Sequence, residues 1–184
     1  MSDQDIDITV FSRPFEASTV TARAAARQIE ANAEERAQLA EVLDLISLDT
    51  LTATLSLRRL ASGLIEVKGE LDAKLVQRCV VTLEPVPAEV HESFRWTFGD
   101  VEPEPVLGEI DIDFGDSDPP EPIEHGQIDL GQVVAEELSL GLDPYPRKEG
   151  AVLPQEYEPK LGEVTEIGAA ATRKPFAGLD KLKK

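Results

Sequence analysis

Apolar and polar residues alternate with a period of two along two neighbouring stretches of the chain. Leu51, Ala53, Leu55 and Leu57 are interleaved with Thr52, Thr54, Ser56 and Arg58. Beyond the turn residues Ser62 and Gly63, Ile65, Val67, Gly69, Leu71, Ala73 and Leu75 are interleaved with Glu66, Lys68, Glu70, Asp72 and Lys74. Successive side chains on a strand point to opposite faces, so the pattern predicts an antiparallel sheet with one buried and one wet face. Val90, Phe94, Trp96 and Phe98 predict a further strand after a break at Pro85, Val86 and Pro87. That strand carries the only Trp and is expected to hold much of the aromatic burial. Near the start, Ile6, Ile8 and Val10 alternate and run into Pro14, which predicts an edge strand or a strand end, because proline donates no ladder hydrogen bond.

Two segments switch to helical spacing. Asn32 and Glu35 have the separation of a capping box, and 33–45 is rich in Ala, Glu, Gln and Leu, which predicts a helix of about three turns. Asp129 and Gln132 repeat the capping spacing, and Leu130, Val133, Val134, Leu138 and Leu142 follow on one face. Glu136 and Glu137 are expected toward solvent, and Gly141 with Asp143, Pro144, Tyr145 and Pro146 is expected to stop that helix. The fold class is therefore α+β: an antiparallel β-sheet packed with two helices, an acidic Pro-rich insertion and a weakly ordered C-terminal tail. The expected divisions are a sheet-and-helix core at 1–98, a linker at 99–125, the second helix at 126–146, and a loosely ordered tail at 147–184.

Charge changes this picture most. The formal net charge is −18. The segment 99–125 holds ten Asp and Glu and no Lys or Arg, together with five prolines, so more than half of the excess sits in one stretch. Such a run reads either as a solvated linker or as an acidic arm that embraces a basic partner. Nucleic-acid affinity comes mainly from Lys and Arg displacing counterions, so the overall charge opposes a plain RNA binder. At 184 residues the chain fits one domain with tails. No apolar run approaches the roughly 18 residues of a membrane span. The acidic start lacks a signal-peptide pattern, and one cysteine suits a reducing compartment, so a cytoplasmic protein is expected.

Candidate chemistry is sparse. His91 and His125 do not stand at ligand spacing from Cys79 or from each other. Gly63, Gly69, Gly99 and Gly108 are isolated and form no phosphate loop. Carboxylates in a Pro-rich run lack the rigid placement that acid–base catalysis needs. The expectation is a non-enzymatic protein with no cofactor and no metal, in which Cys79 is a buried small hydrophobe.

Three separated stretches carry a resemblance. They are Cys79-Val80-Val81-Thr82-Leu83-Glu84-Pro85-Val86; the run from Ile128 through Leu138 that continues into Asp143-Pro144-Tyr145-Pro146; and the close from Lys174 to Lys184, with Pro175, Phe176 and Leu179. In that order the chain, over 8–184, resembles the YceD family of large ribosomal RNA subunit accumulation proteins. The resemblance implies a non-enzymatic factor needed for synthesis, processing or stability of large-subunit (23S) ribosomal RNA. The implied partner is a ribosomal protein or pre-ribosomal particle of the large subunit, with direct RNA contact as a further possibility. Arg78, Glu84, Pro85, Asp129, Glu136, Pro175, Phe176 and Leu179 are the candidate binding residues in or beside these stretches. Some family members carry a second cysteine three residues after the first and more after the second helix. Here Thr82 and the stretch after Pro146 supply none, so a zinc or redox role is not implied for this chain.

Cationic ribosomal proteins match an acidic surface, which favours a protein partner. The rival reading is an RNA-binding module built on Arg58, Arg59 and Arg78, all expected near strand ends of one sheet. At the C-terminus, Phe176, Leu179 and Leu182 recur every third residue behind Pro175, with Lys181, Lys183 and Lys184 among and after them. This predicts a short amphipathic helical turn that docks either on its own domain or on a partner.

Overall fold

The computed structural model describes residues 10–99 and 119–152. Seven strands and two helices form there: β1 (Pro14–Glu16), β2 (Ala25–Glu30), α1 (Ala33–Val42), β3 (Ser47–Arg59), β4 (Ile65–Arg78), β5 (Pro85–Gly99), β6 (Glu121–Pro122), β7 (Gln127–Asp129) and α2 (Leu130–Gly141). The main sheet has the order β2-β3-β4-β5-β6, and β1 pairs with β7 in a two-stranded ladder. All pairings are antiparallel except β5 with β6, where Phe98 and Gly99 lie opposite Glu121 and Pro122. The α+β class is the one expected from the sequence.

The predicted hairpin is the spine of the molecule. Leu51, Ala53, Leu55 and Leu57 of β3 and Ile65, Val67, Leu71, Ala73 and Leu75 of β4 are buried, and the polar residues between them line the opposite face. Gly69 fits the buried face because a Cβ there would stand 2.2 Å from the Phe94 ring and 2.7 Å from a Leu55 methyl. The α2 residues Leu130, Val133, Val134, Ala135 and Leu138 close the core with Phe11, Val90, Phe94 and Phe98. Full burial of one such side chain stabilises a fold by about 1.5–3 kcal/mol.

Several expectations need correction. The alternation at 6–10 falls almost wholly outside the described residues, and the first strand begins instead at Pro14, paired with Asp129. A strand at Ala25–Glu30 was not foreseen. Pro85 and Pro87 lie within β5 rather than breaking the chain before it. They stand at its open edge, and their spacing of two turns both missing N–H groups the same way, the position proline tolerates in a sheet. Of the linker expected at 99–125, Gly99 belongs to β5 and Glu121–Pro122 forms β6, while 100–118 lie outside the described residues. α1 is marked by its cap more than by its face. Asn32 accepts the Glu34 and Glu35 amides while Glu35 accepts the Asn32 amide, and the helix buries only Leu39 and Ala40, leaving Ala33 and Ala37 exposed.

At α2 the Asp129 cap is present, but the reciprocal box is not. Asp129 accepts from the Gly131 and Gln132 amides at 2.9 and 3.2 Å, whereas the Gln132 side chain donates to Glu136. The helix ends where expected, with Gly141 as its last residue. A Cβ there would meet Val90 and Glu92 of β5 at 2.8 and 2.9 Å, so glycine lets α2 lie close on the sheet.

Candidate functional site

The β4–β5 ribbon has two ends, separated by roughly 40 Å at 3.3 Å per residue. One end is the loop 79–84. Cys79 is fully buried there, and its sulfur accepts the Lys148 and Thr82 amides, both at 3.4 Å. The Lys148 amide, followed by the Thr82 side chain, holds the thiol pKa down to about 6 from 9.0, against the opposing effect of burial. The Cys79 amide donates to the Glu84 carbonyl, and the Leu83 amide donates back to the Cys79 carbonyl, leaving Leu83 at φ 62°. The Gln77 side chain donates to the Asp143 carbonyl at 2.9 Å, and the Val80 amide donates to the Pro146 carbonyl at 2.9 Å. Lys148 Nζ reaches Glu84 at 3.1 Å, and this ion pair holds the Glu84 carboxyl below its ordinary range. Residues near 80 and near 146, remote in sequence, thus form one contact. The start of the tail expected to be loose at 147 is tied to the domain by Lys148.

The other end is a cleft of about 490 Å³ between β5, the segment from β6 to β7 and the first turns of α2. Trp96 and Phe98 form its aromatic wall, stacked with centroids 6.0 Å apart and planes 19° apart. Trp96 is half-buried, and its indole N–H donates to Glu137. The opposite wall is a tight turn in which His125 and Gly126 both take positive φ, at 52° and 76°, bringing Glu124 against Gln127. Glu121, Glu124, Asp129 and Glu136 all line the cleft, and among the described residues no Lys or Arg does. Asp129 and Glu136 are engaged: Asp129 accepts the Arg13 backbone amide at 2.7 Å and the Ser12 hydroxyl besides capping α2, and Glu136 accepts Gln132 Nε2 at 3.0 Å. Glu136 and Glu137 are half-buried here rather than free in solvent. Glu121 and Glu124 are exposed and, among the described residues, have no side-chain hydrogen bond or ion pair.

The candidate residues fall into separate places. Arg78, Glu84 and Pro85 gather at the Cys79 end, where Arg78 lies opposite Pro85 in register. Asp129 and Glu136 sit in the cleft. Pro175, Phe176 and Leu179 lie outside the described residues. The three arginines of the alternative patch are not brought together. Arg58 and Arg78 stand near opposite ends of the β3–β4 ribbon, because Arg58 pairs with Glu66 while Arg78 lies at the far end of β4. Arg59 is committed to structure: its guanidinium donates to the carbonyls of Val20, Gly63 and Ala17 at 3.1, 3.0 and 2.8 Å. A different cationic cluster forms on the wet face, where Arg58, Lys68 and Arg95 converge on the buried Glu66 at 2.7, 3.4 and 3.7 Å. The Arg58 hydrogen bond leads in holding the Glu66 carboxyl below its usual range. Arg58 lies opposite Glu66, and Lys68 lies opposite Arg95, a signal invisible until strand pairing is known.

No curated relative and no solved structure matches the chain at a significant level. The profile of the large ribosomal RNA subunit accumulation protein YceD matches residues 67–183. That span holds the contact between Cys79 and Lys148 and the cleft lining apart from Ser12 and Pro14, and the chain belongs to the YceD family.

Proposed function

We propose that this protein is a non-enzymatic assembly factor that supports accumulation of large-subunit ribosomal RNA by binding a basic ribosomal protein or a large-subunit precursor particle that displays one. Membership of a family named for that accumulation supplies the process. The observation that supports a protein partner is the concentration of charge. The chain leaves β5 at Gly99 and returns at Pro119 beside the cleft, and 100–118 hold eight carboxylates without a cation. An acidic stretch of this composition attracts cationic proteins and repels phosphate, and it acts chiefly on the association rate. The polar groups with unusual environments, Asp129 and Cys79, are occupied in holding α2 and the 79–84 loop, which supports a binding role over a catalytic one.

The test is binding of the full chain to isolated large-subunit proteins across a salt series. Replacing Asp111, Asp113, Asp116 and Asp118 together by Asn is expected to lower the on-rate about tenfold and to flatten its salt dependence. A direct RNA reading draws on one observation, the Arg58–Lys68–Arg95 cluster, whose two cations in excess over Glu66 suit a phosphate. It gains the upper hand if the four Asn substitutions change nothing while Arg58→Ala with Arg95→Ala abolishes RNA association.

A further inference from the structure

We propose that the cleft at Trp96 binds an arginine side chain presented on an extended segment of the cationic protein partner. The inference rests on the reading that the partner is a basic protein, and it names the place and the chemistry of contact. A cavity of about 490 Å³ is large enough for a guanidinium, its stem and neighbouring backbone. One wall is the indole of Trp96, backed by Phe98 at 6.0 Å and held in orientation by the hydrogen bond to Glu137. An indole face is the best aromatic partner for a cation. The mouth carries Glu121 and Glu124 as exposed carboxylates without side-chain partners among the described residues. Nearby Arg13 is not available to neutralise them, since its guanidinium forks onto Glu35 at 2.7 and 2.9 Å and lies 4.7 Å from the Phe11 ring centroid.

A flat aromatic surface beside unpaired carboxylates discriminates among cations. Guanidinium is planar, stacks on indole and donates in a fork to carboxylate, whereas ammonium is a strongly hydrated point charge that does neither as well. The site should therefore prefer arginine to lysine. Its placement also suits a peptide: β6 is only two residues long and borders the cleft, so an extended segment has a short sheet edge to run along while its side chain enters.

Trp96 is the only tryptophan, so its emission reports on this cleft in the unlabelled full chain. The probe is a short peptide alternating Arg and Gly, compared with its Lys counterpart and with a short single-stranded RNA, at an ionic strength of about 0.15 M where distant charges are screened. The Arg peptide is expected to change Trp96 emission saturably and to bind several-fold more tightly than the Lys peptide. Glu121→Gln with Glu124→Gln is expected to weaken it about tenfold, equivalent to about 1.4 kcal/mol, with an unchanged melting temperature. If labelled Arg peptide binds by anisotropy while Trp96 emission and the double substitution have no effect, the cleft is not the site, although the basic-partner reading stands. If the RNA binds and the Arg peptide does not, both are overturned.

Discussion

The two ends of the β4–β5 ribbon share their strands and differ in what their polar groups face. At the Cys79 end, the thiol, Gln77, Glu84 and the carbonyls of Asp143 and Pro146 all bond to other parts of the same chain. At the Trp96 end, an aromatic surface stays half open and two carboxylates remain without side-chain partners among the described residues. A satisfied hydrogen-bond network rigidifies and specifies a fold, whereas unpaired charge at a concave surface is open to a partner from outside. Residues of the two most recognisable sequence stretches meet at the closed end. The contacts of the closed end hold the segment after α2 in place, while the groups left without side-chain partners among the described residues gather at the other end.

The severest test of this contrast is whether the cleft end is rigid. α2 enters the fold at Gly131, where a Cβ would stand 2.1 Å from the Phe11 carbonyl oxygen, a backbone atom with no flexible way out. Gly131→Ala is expected to cost about 1–3 kcal/mol, as overpacking does, and to lower the melting temperature by about 2–4 °C per kcal/mol. It should also shift Trp96 emission, because Val133 and Glu136 of the same helix line the cleft beside that ring. An alanine variant with an unchanged melt and unchanged emission would show that α2 does not brace the cleft.

Legibility in the sequence followed burial. The β3–β4 hairpin could be read because both strands bury one face along most of their length, which writes a period of two into the chain. β2 escaped because it is an edge strand with no fully buried residue and only Ala25 and Ile29 half-buried, so its sequence Ala-Ala-Arg-Gln-Ile-Glu carries no alternation to read. β6 and β7, with two and three residues, are too short for any pattern. The cleft depends on them: it exists because Glu121 pairs with Phe98 across 23 positions of chain, a closure that no local pattern announces. Asp129 and Glu136 were legible as α2 residues, yet their neighbourhood with Trp96 was not. The arginine patch misgrouped for a related reason. Proximity along the sequence joined Arg58 to Arg59, which strand alternation sends to opposite faces, and a shared sheet joined Arg58 to Arg78, which strand length separates.

The closed end makes a subtler prediction about Cys79. A thiol poised at about pH 6 would ordinarily be reactive at neutral pH, but alkylation needs access as well as thiolate, and this sulfur is fully buried. Native protein is expected to react with iodoacetamide at least about tenfold more slowly than the urea-unfolded chain, since modification must wait for local opening. The linkage has a definite sign. A pKa depressed on folding contributes stability that is complete above the ordinary value of 9.0 and vanishes as the pH falls through about 6. Stability should therefore climb between those limits in the native sequence, and Cys79→Ser should flatten the climb while lowering the melting temperature by a few degrees. Rapid native alkylation would mean that this end is open too, and the contrast with the cleft would fail.

The smallest expected effect lies between the two ends, at Glu66. Its side chain is 8% exposed, but those of Arg58, Lys68 and Arg95 around it are 44–64% exposed. Solvent screens the outer partners, so the cluster is worth far less than three buried ion pairs, and Glu66→Gln is expected to cost only about 1 kcal/mol at neutral pH. Because the Arg58 hydrogen bond leads in lowering the folded carboxyl pKa below 4.5, the stabilisation is present above that value and is lost as the pH falls through the lower folded one. Melting curves from pH 6 down to pH 3 should show the native protein losing its advantage over Glu66→Gln on the acid limb. The same variant leaves three cations without their shared anion on the wet face. If it gains affinity for single-stranded RNA while Trp96 emission stays unchanged, the wet face is a phosphate-binding surface restrained by Glu66; unchanged RNA affinity leaves the cluster as a sheet-bracing device.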